Sequence, residues 1–336
     1  MKLYQEIIKK SKPIDDKFEK IKESQLNGIK IFFHVPKFHP RAKKISSYTF
    51  SPLDLENLTK NKTYNLTKNH IFIIDESVSK QSFVKEFIKK QNISPIILKS
   101  IEGKVKTKFF LDELIKNHNL DKKQNLTLVV IGGGLLLNVG AYLAEKLSAN
   151  LILFPTTVIA MADGAGGKVR INFVSNNRAY KHFYKSFYEP NAIFIDKRFL
   201  ESLPKKQISI GLVEIIKHGL FQSTKLYNYI LRSGKDFFTD IKKLEKSIFW
   251  AAALKNVCID IDVEENENGS RRILRGGHDF SDRTEEDLNL KIPHGIAVAI
   301  GIIKQLEMER ENKLLNKTKK LFNLLDIPYT IEDFNK

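Results

Sequence analysis

Short apolar runs alternate with amphipathic segments between residues 70 and 157. The segments 79–91 and 107–119 repeat their hydrophobic residues with helical spacing, and a further helix begins directly after three glycines. Strands that alternate with helices predict a parallel, doubly wound sheet. The runs predicted as strands are HIFIID (70–75), SPIILKS (94–100), NLTLVVIGGG (125–134) and LILFPTT (151–157).

The pattern changes after Pro190. NAIFIDKRFLESLP (191–204) predicts a short strand and a turn, and nearly all of the chain from Lys205 onward predicts helix. Only the polar segment EENENGSRR (264–272) and the glycines of LRGGHDF (274–280) interrupt this helical pattern. The second half of the chain is therefore expected to be all-α.

A length of 336 residues favours two domains, because single hydrophobic cores stop growing at about 250–300 residues. We expect an α/β domain with a Rossmann-like parallel sheet over residues 1–190 and a helical domain over residues 191–336. The first 45 or so residues show no clear periodicity, so the pattern assigns them no element.

The chain is basic, with 56 Lys and Arg against 39 Asp and Glu and a formal charge of +17. Such a charge suits nucleic acid, an anionic membrane surface or a phosphorylated small molecule. The lysines are scattered through helical segments, without an RNA-binding aromatic motif, zinc-finger spacing or an isolated basic arm. A nucleic-acid partner is therefore not expected.

Cysteine content and hydropathy indicate the compartment. The single cysteine, Cys258, excludes an intrachain disulfide and fits a reducing compartment, where it would be a small buried hydrophobe. Charges interrupt the apolar residues of the N-terminus too often for a signal peptide, and no run approaches the roughly 20 apolar residues of a membrane span. We expect a soluble cytoplasmic protein that does not enter a membrane.

Three glycines, Gly132, Gly133 and Gly134, end a predicted strand and begin a predicted helix. This arrangement lets the backbone approach a pyrophosphate while the helix N-terminus faces its negative charge. It is not the GxGxxG fingerprint, so a tight strand-to-helix turn without a ligand explains it equally well.

Three residues have the types found in catalytic zinc sites. In GLVEIIKHGL (211–220), Glu214 and Lys217 lie three residues apart on one side of a helix, which by itself is typical of a surface ion pair. His278 and His294 lie beside glycines, and each alone is typical of a hydrogen-bonded core or surface histidine. Together, Glu214 and the two histidines would form a His2Glu ligand set with a coordination position left open.

The segment PTTVIAMADGAGGKVRIN (155–172) places Asp163, Lys168 and Asn172 around glycines after a strand end. Lys168 in such a loop could bind a phosphate as a compact point charge. An exposed loop lysine without a ligand is an equally good interpretation of the segment alone.

The order of these motifs resembles the dehydroquinate synthase family of sugar phosphate cyclases. The resemblance extends over roughly residues 70–310. The motifs are IGGGLLLNVGAYLA, FPTTVIAMADGAGGKVRIN, YKSFYEPNAIFIDKRFLESLP, GLVEIIKHGL, GSRRILRGGHDF and IPHGIAVAIG.

The resemblance implies an NAD-binding N-terminal domain, a helical metal-binding C-terminal domain, a site in the cleft between them, and a homodimer. Glu214, His278 and His294 match the family's metal ligands, with zinc expected and cobalt as an alternative. For NAD we expect Gly132–Gly134 with Asn138, Thr156 and Thr157, and Asp75 as a ribose partner. The residues that match the substrate site are Asp163, Lys168, Asn172, Lys217, Lys255 and Arg271, to which we add Arg275.

The chemistry implied by the resemblance starts from a sugar phosphate. A hydroxyl bound to the metal is oxidised by NAD to a ketone, which acidifies the neighbouring C–H and allows phosphate to be eliminated. Reduction by the NADH just formed, ring opening and an internal aldol closure then give a carbocycle. The metal polarises the oxygen, and the lysines stabilise enolate or phosphate charge.

Several residues depart from the family pattern, and they concentrate where phosphate is handled. Leu137 and Asn138 replace a glycine and an aspartate, Leu147 replaces an arginine, Arg275 an asparagine and Asp282 a histidine. We expect Arg275 and Lys168 to hold the substrate's anionic group, while Asp282 either orients Arg275 or contacts a substrate hydroxyl. Arg170 and Lys181 are further candidates for a rearranged anion site.

These departures favour a divergent cyclase acting on another sugar phosphate over dehydroquinate synthesis itself. A metal- and NAD-dependent alcohol dehydrogenase related to glycerol-1-phosphate dehydrogenase is the first alternative, because it shares the NAD and metal layout but releases NADH. A non-catalytic NAD-binding or basic interaction protein is the second alternative. The presence of all three metal-ligand types argues against that second alternative.

Overall fold

A computed structural model describes residues 2–34, 47–60, 69–164, 167–175, 178–262 and 265–335 of the chain. The chain divides into two compact units. The helical unit comprises Met1–Asn27, Met161–Asp163 and Leu200–Lys336, and the α/β unit comprises Gly28–Ala160 and Gly164–Phe199. The first 27 residues thus belong to the helical unit, and the division does not follow a single boundary near residue 190.

The strands of the α/β unit lie in a seven-stranded sheet and a separate hairpin. They are β1 Ile31–His34, β2 Ser47–Pro52, β3 His70–Asp75, β4 Ile96–Leu98, β5 Thr127–Gly132, β6 Asn150–Pro155, β7 Lys168–Ser175, β8 Arg178–Phe187 and β9 Ala192–Ile195. The order in the sheet is β1-β2-β9-β6-β5-β3-β4, with β1 antiparallel and every other neighbouring pair parallel.

The helices occur in both units, and short 3-10 segments connect some of them. In chain order they are α1 Lys2–Lys20, α2 Glu76–Ser79, α3 Ser82–Lys90, α4 Glu102–Val105, α5 Lys108–Asn117, α6 Gly134–Leu147, α7 Val158–Asp163, α8 Arg198–Glu201, α9 Lys205–Phe221, α10 Thr224–Ser233, α11 Ile241–Ile261, α12 Ser270–Leu274, α13 His278–Asp287, α14 His294–Met308, α15 Asn312–Leu324 and α16 Ile331–Asn335. Among the described residues, none of these helices is long and apolar enough to cross a membrane.

The central strands β5 and β6 form the core of the sheet. All six residues of β5 are buried, as are the last five of β6, which is the pattern of parallel strands covered on both faces. The four strands predicted between residues 70 and 157 are β3, β4, β5 and β6, and they are mutually parallel, as the sequence predicts.

The hairpin β7–β8 was not predicted from the sequence. Lys168 is the first residue of β7, where it pairs with Phe187, so the expectation of a loop at Lys168 is wrong. Asn138 on α6 joins the helix to the hairpin, because its Oδ1 accepts a hydrogen bond from the backbone N–H of Arg170 at 2.9 Å. The paired backbone of β7 and β8 satisfies the peptide groups that a loop would leave to water.

Helix α1 packs against α11 and α10 in the helical unit. The ring of Phe18 stacks on Trp250, with centroids 5.8 Å apart. The buried Asp15 carboxylate accepts hydrogen bonds from Trp250 Nε1 at 2.8 Å and from Ser223 Oγ at 2.6 Å. These long-range contacts explain why the N-terminal segment belongs to the helical unit.

Candidate metal centre and dinucleotide-binding turn

Helix α9 carries Glu214 and Lys217 in the interior of the helical unit. Each side chain is 1% exposed, and the Lys217 ammonium contacts Glu214 Oε2 directly. Lys217 Nζ also donates to the backbone carbonyl of Leu274 at 2.9 Å. The two residues do form an ion pair, but its burial excludes the surface pair that is the commoner interpretation of this spacing.

His278 and His294 are the first residues of α13 and α14. His278 Nδ1 lies 3.2 Å from the backbone carbonyl of Gly276, and His294 Nδ1 lies 3.0 Å from Glu285 Oε2. Because both partners are acceptors, Nδ1 is the protonated nitrogen of each ring. The Nε2 atoms are therefore left with the lone pairs that bind a metal ion.

The two Nε2 atoms converge on one carboxylate oxygen. Glu214 Oε1 lies 3.7 Å from Nε2 of His294 and 4.0 Å from Nε2 of His278. One ligand atom from each of the three residues lies within 4.8 Å of the others, so the three residues form a candidate metal site.

Glu214 Oε1 tests whether these residues fit a metal ion. The atom is buried and has no hydrogen-bond partner, and a buried carboxylate oxygen without a partner is costly. The Nε2 atoms of His278 and His294 lie near this oxygen, but they carry lone pairs and cannot donate a hydrogen bond to it. A divalent cation between the three ligand atoms would relieve it, so the donor set fits a metal ion.

Close helix packing brings the ligands together. A Cβ at Gly295 would lie 2.3 Å from the backbone oxygen of Ile210 on α9, and one at Gly301 would lie 2.0 Å from the oxygen of Gly277. Gly277 itself has φ +76°, a left-handed conformation that suits glycine. The glycine neighbours of both histidines thus permit α9, α13 and α14 to approach at the ligand positions.

A second buried lysine lies in the same unit. Lys255 on α11 is 4% exposed, and its Nζ donates to Asp163 Oδ1 at 2.7 Å and to the backbone oxygen of Asp163.

Burial opposes the charged form of Lys217, but the carboxylates of Glu214 and Asp163 outweigh it and raise the pKa of that ammonium group. The centre therefore holds a permanent cation beside the ligand set.

His278 is held in the opposite charge state, as a neutral imidazole. Burial lowers the pKa of His278 well below its usual value, and the Lys217 ammonium lowers it further. A metal ligand must be the neutral imidazole. The neutral state of His278 therefore agrees with the position of its Nε2 atom beside Glu214 Oε1.

The two arginines expected in the site differ in environment. Arg271 on α12 has an exposed side chain. Arg275, at the end of α12, is bound by two carboxylates of α13, Asp282 at 3.1 Å and Asp279 at 3.2 Å, both through Nη2. Of the two roles expected for Asp282, the structure shows the contact that orients Arg275.

The predicted dinucleotide turn lies at the carboxyl ends of β5 and β6 in the α/β unit. Gly132 ends β5, Gly133 is the N-cap of α6, and Thr156 N donates to the Gly132 carbonyl at 3.0 Å. A Cβ at Gly133 would lie 3.4 Å from Thr157 Cγ2, while one at Gly134 would meet nothing within 4 Å. The structure thus brings the glycines and threonines together with open space over Gly134.

Two other residues expected near NAD already have structural partners. Asp75 ends β3 beside β5, and its carboxylate accepts hydrogen bonds from Ser77 and from Ser100 Oγ. Asn138 Nδ2 donates to Gly134 O at 3.0 Å while its Oδ1 binds the hairpin. Both residues shape this edge of the sheet, and their contact with NAD stays a prediction.

Asn172 and Arg170 on β7 are also engaged. Asn172 is 1% exposed, and its Nδ2 donates to Glu102 Oε1 at 3.0 Å while its Oδ1 accepts from His182 N at 3.2 Å. Arg170 Nη1 donates to the carbonyls of Val169 and Ser186. The substrate roles expected for Lys168 and Asn172 stay predictions.

Sequence reasoning missed two acidic residues, Glu285 and Glu102. Glu285 lies seven residues after His278, a spacing that returns to the same face of a helix, but Glu286 and Asp287 follow it directly and compete as candidates. Glu102 lies 70 residues before Asn172, and no local pattern connects the two.

Family profiles match most of the chain. Residues 99–210 match the profile described as 3-dehydroquinate synthase N-terminal, and residues 211–334 match the profile described as 3-dehydroquinate synthase C-terminal. The 3-dehydroquinate synthase of Sulfurisphaera tokodaii is 30% identical over 264 residues, which are 76% of this chain and 72% of that protein. The protein of the same name from Pelagibacter ubique is 29% identical over 310 residues, 84% and 78% of the two chains.

Solved structures with the same fold include two synthases. The 2-epi-5-epi-valiolone synthase ValA from Streptomyces hygroscopicus, with NAD+ and Zn2+ bound, has a TM-score of 0.74 at 20% identity and covers 88% of this chain and 85% of its own. A 2-deoxy-scyllo-inosose synthase complexed with carbaglucose-6-phosphate, NAD+ and Co2+ has a TM-score of 0.67 at 21% identity, covering 91% and 82%. These matches confirm the predicted fold class, an α/β unit with a parallel sheet and a helical unit.

Proposed function

Because the chain belongs to the 3-dehydroquinate synthase family, as its motifs predict, we propose that it is a sugar phosphate cyclase. The substrate is a sugar phosphate, and the reaction eliminates phosphate and closes a carbocycle. The convergence of Glu214, His278 and His294 carries the proposal, since one ligand atom of each lies within 4.8 Å of the others and the residue types suit a metal ion.

Glu214, His278 and His294 would hold a divalent metal ion, zinc or cobalt. Bound there, the ion supplies Lewis acidity toward a substrate oxygen. The glycine turn Gly132–Gly134 and the threonines Thr156 and Thr157 would hold NAD, with its pyrophosphate at the N-terminus of α6. The 14-residue length of α6 and the absence of acidic residues from its first turn support that assignment.

Lys217 stabilises negative charge in the proposed reaction. Its ammonium group stays protonated at neutral pH, because Glu214 and Asp163 raise its pKa. The Leu274 carbonyl accepts one of its three hydrogens, and the ion pair with Glu214 Oε2 engages a second. The third is available to a substrate oxygen that becomes negative when the adjacent C–H proton leaves.

Lys255 and Asp163 position each other in the same unit. The Asp163 carboxylate holds the Lys255 ammonium with a 2.7 Å contact. Asp163 is 41% exposed on its side chain, which leaves it accessible to a ligand. We assign Lys255 to the substrate's negative charge and Asp163 to its orientation.

The proposed reaction has no net oxidation, because the hydride removed in one step is returned to the sugar in a later one. An NAD- and metal-dependent alcohol dehydrogenase with the same layout would instead accumulate NADH. A non-catalytic NAD-binding protein would produce neither NADH nor phosphate. The three functions therefore differ in two measurable products.

The deciding experiment supplies zinc-loaded protein and NAD with a panel of sugar phosphates. Inorganic phosphate and the absorbance of NADH are followed in the same sample. We expect phosphate release without net NADH, and loss of that release in Lys217→Met. Net NADH without phosphate would assign the dehydrogenase, and no product with any panel member together with no saturable NAD binding would contradict an enzyme.

We also propose that the enzyme is a cytoplasmic homodimer. The family resemblance supports the dimer, and the single cysteine supports a reducing compartment. Sedimentation equilibrium of the full chain tests the first statement, with a monomer at micromolar concentration as the contrary result. Fractionation of the source cells tests the second.

A further inference from the structure

The backbone from Leu274 to His278 borders the candidate metal centre. The Leu274 carbonyl accepts from Lys217 Nζ, and the Gly276 carbonyl contacts His278 Nδ1. The backbone N–H of His278 donates to the Arg275 carbonyl at 2.8 Å. Arg275 is therefore held between two residues whose backbone contacts the groups of the centre.

The Arg275 guanidinium is only partly engaged. Nη2 donates to Asp282 Oδ2 at 3.1 Å and to Asp279 Oδ1 at 3.2 Å, whereas Nε is buried without a hydrogen-bond partner. The Asp279 side chain is 73% exposed and that of Asp282 is 23% exposed. Solvent weakens the pairing with Asp279, so Asp282 is the carboxylate that compensates the charge of Arg275.

Asp282 lies on the face of α13 that serves the metal centre. It follows His278 by four residues, and Glu285 follows it by three, spacings that return to one side of a helix. His278 and Glu285 both take part in the centre. Arg275, at 29% exposure, and Asp282 are partly exposed beside these buried groups, so a ligand can reach them.

A guanidinium paired with a carboxylate does not suit a phosphate. The phosphate dianion must displace Asp282 from Arg275 or remain near a like charge, and both cost free energy. A sugar hydroxyl meets no such penalty. It can donate to the carboxylate and accept from the partly exposed guanidinium at the same time.

On the premise of the proposed function, we propose that Arg275 and Asp282 bind hydroxyl groups of the sugar and exclude its phosphate from this part of the site. The pair thereby selects sugar phosphates that place a hydroxyl-bearing segment against α13. This differs from the expectation that Arg275 holds the anionic group, because the structure places a carboxylate on that arginine.

Asp282→Asn tests the proposal, with Asp279→Asn as the matched control. Both variants remove one carboxylate from Arg275 Nη2 and preserve side-chain shape. Inorganic phosphate is the probe, titrated calorimetrically into full-length protein loaded with zinc and NAD, without excess zinc. We expect Asp282→Asn to bind phosphate at least tenfold more tightly than wild type, and Asp279→Asn to stay within twofold of wild type.

The double variant Arg275→Gln/Asp282→Asn removes both charges and leaves the net charge unchanged. We expect its phosphate affinity to stay within threefold of wild type, and its affinity for the neutral cyclic polyol myo-inositol to fall at least tenfold. A tenfold loss of phosphate affinity in the double variant would assign Arg275 to the anion and overturn the proposal. Unchanged phosphate affinity in Asp282→Asn would overturn it as well.

These binding measurements need no turnover, so they are separate from the test of the proposed function. If the protein shows no cyclase activity but the variants change phosphate and polyol affinity as expected, the hydroxyl-binding role of the pair stands and only the proposed reaction is contradicted. If the protein is an active cyclase but the variants do not change these affinities as expected, the proposed reaction stands and the hydroxyl-binding role of Arg275 and Asp282 is contradicted. Thermal unfolding of each variant confirms that the fold is kept.

Discussion

The protonation of His218 follows from the hydrogen bonds of Gln222. The Gln222 side chain donates through Nε2 to the Leu254 carbonyl and to Ser11 Oγ, which fixes its Oε1 toward His218 Nδ1 at 2.8 Å. An amide oxygen only accepts, so Nδ1 carries the proton. Nε2 of His218 is consequently a buried acceptor, and it has no hydrogen-bond partner.

His218 should stay neutral through the acidic range. Burial, reinforced by the Lys217 ammonium, lowers its pKa from 6.5 to about 3. The unfolded chain therefore binds a proton that the folded chain does not between these values, and stability falls as pH falls, by up to roughly 1.4 kcal/mol per pH unit below about 6.5. Nitrogen-15 spectra of histidine-labelled protein, assigned with His218→Gln, should show a neutral Nδ1–H ring down to about pH 4. A ring that titrates between pH 5 and 7 would contradict this.

Glu285 should act on the metal through His294. Its carboxylate orients the ring and fixes the proton on Nδ1, and loss of such a partner typically lowers metal affinity about 10–100-fold. We expect zinc affinity, measured by chelator competition, to fall about tenfold in Glu285→Gln and further in Glu285→Ala. The adjacent, exposed Glu286 supplies the control Glu286→Gln, and equal zinc affinity in all four proteins would exclude a positioning role for Glu285.

At the scale of elements, the metal centre depends on how closely α13 approaches α14. A Cβ at Gly301 would lie 2.0 Å from the carbonyl oxygen of Gly277, the residue before His278. A methyl group there must separate the helices or shift the start of α13. The position of His278 is thus determined by the lack of a side chain on another helix.

Gly301→Ala should lower both stability and zinc affinity. We expect a loss of about 1–3 kcal/mol in the free energy of unfolding, which is the usual cost of overpacking. Urea denaturation of metal-free protein, monitored by circular dichroism, measures this loss. Gly103→Ala is the control, because a Cβ at that helical position meets nothing within 4 Å. It should leave unfolding within about 0.5 kcal/mol of wild type. Equal effects of the two substitutions would contradict the close-packing argument.

For the whole molecule, the single tryptophan reports on one unit. Trp250 lies in the helical unit, where it contacts Phe18 and Asp15 of α1. Its fluorescence therefore follows the unfolding of the unit that contains Glu214, His278 and His294. A ligand that binds only the folded form of this unit must raise the midpoint of the unfolding transition that tryptophan fluorescence reports.

Zinc should stabilise that unit through the three ligands. At free zinc one hundredfold above the dissociation constant, mass action adds about 2.7 kcal/mol to the free energy of unfolding. We expect zinc to raise the midpoint of the fluorescence-detected unfolding transition of wild type accordingly, and to leave the midpoint of His294→Ala unchanged. A shift of equal size in the variant would show that zinc binds elsewhere on the chain.

The chain's hydrophobic periodicity and motif order were sufficient to predict the fold class and the family. The central parallel strands β5 and β6 could be predicted because both of their faces are buried and their residues form continuous apolar runs. The metal-ligand types were readable in Glu214, His278 and His294 because each lies in a local motif. Each strand and each motif is recognised within a few neighbouring residues, and the family is recognised from the order of the motifs along the chain.

Only the tertiary structure decided how distant residues pair. The contact of Glu285 with His294, of Asp282 with Arg275 and of Glu102 with Asn172 depends on which helix or strand faces which neighbour. The placement of α1 against Trp250 likewise depends on a partner more than 200 residues away. A linear pattern encodes the periodicity of an element but not its packing partner, because side-chain complementarity between distant segments leaves no local repeat.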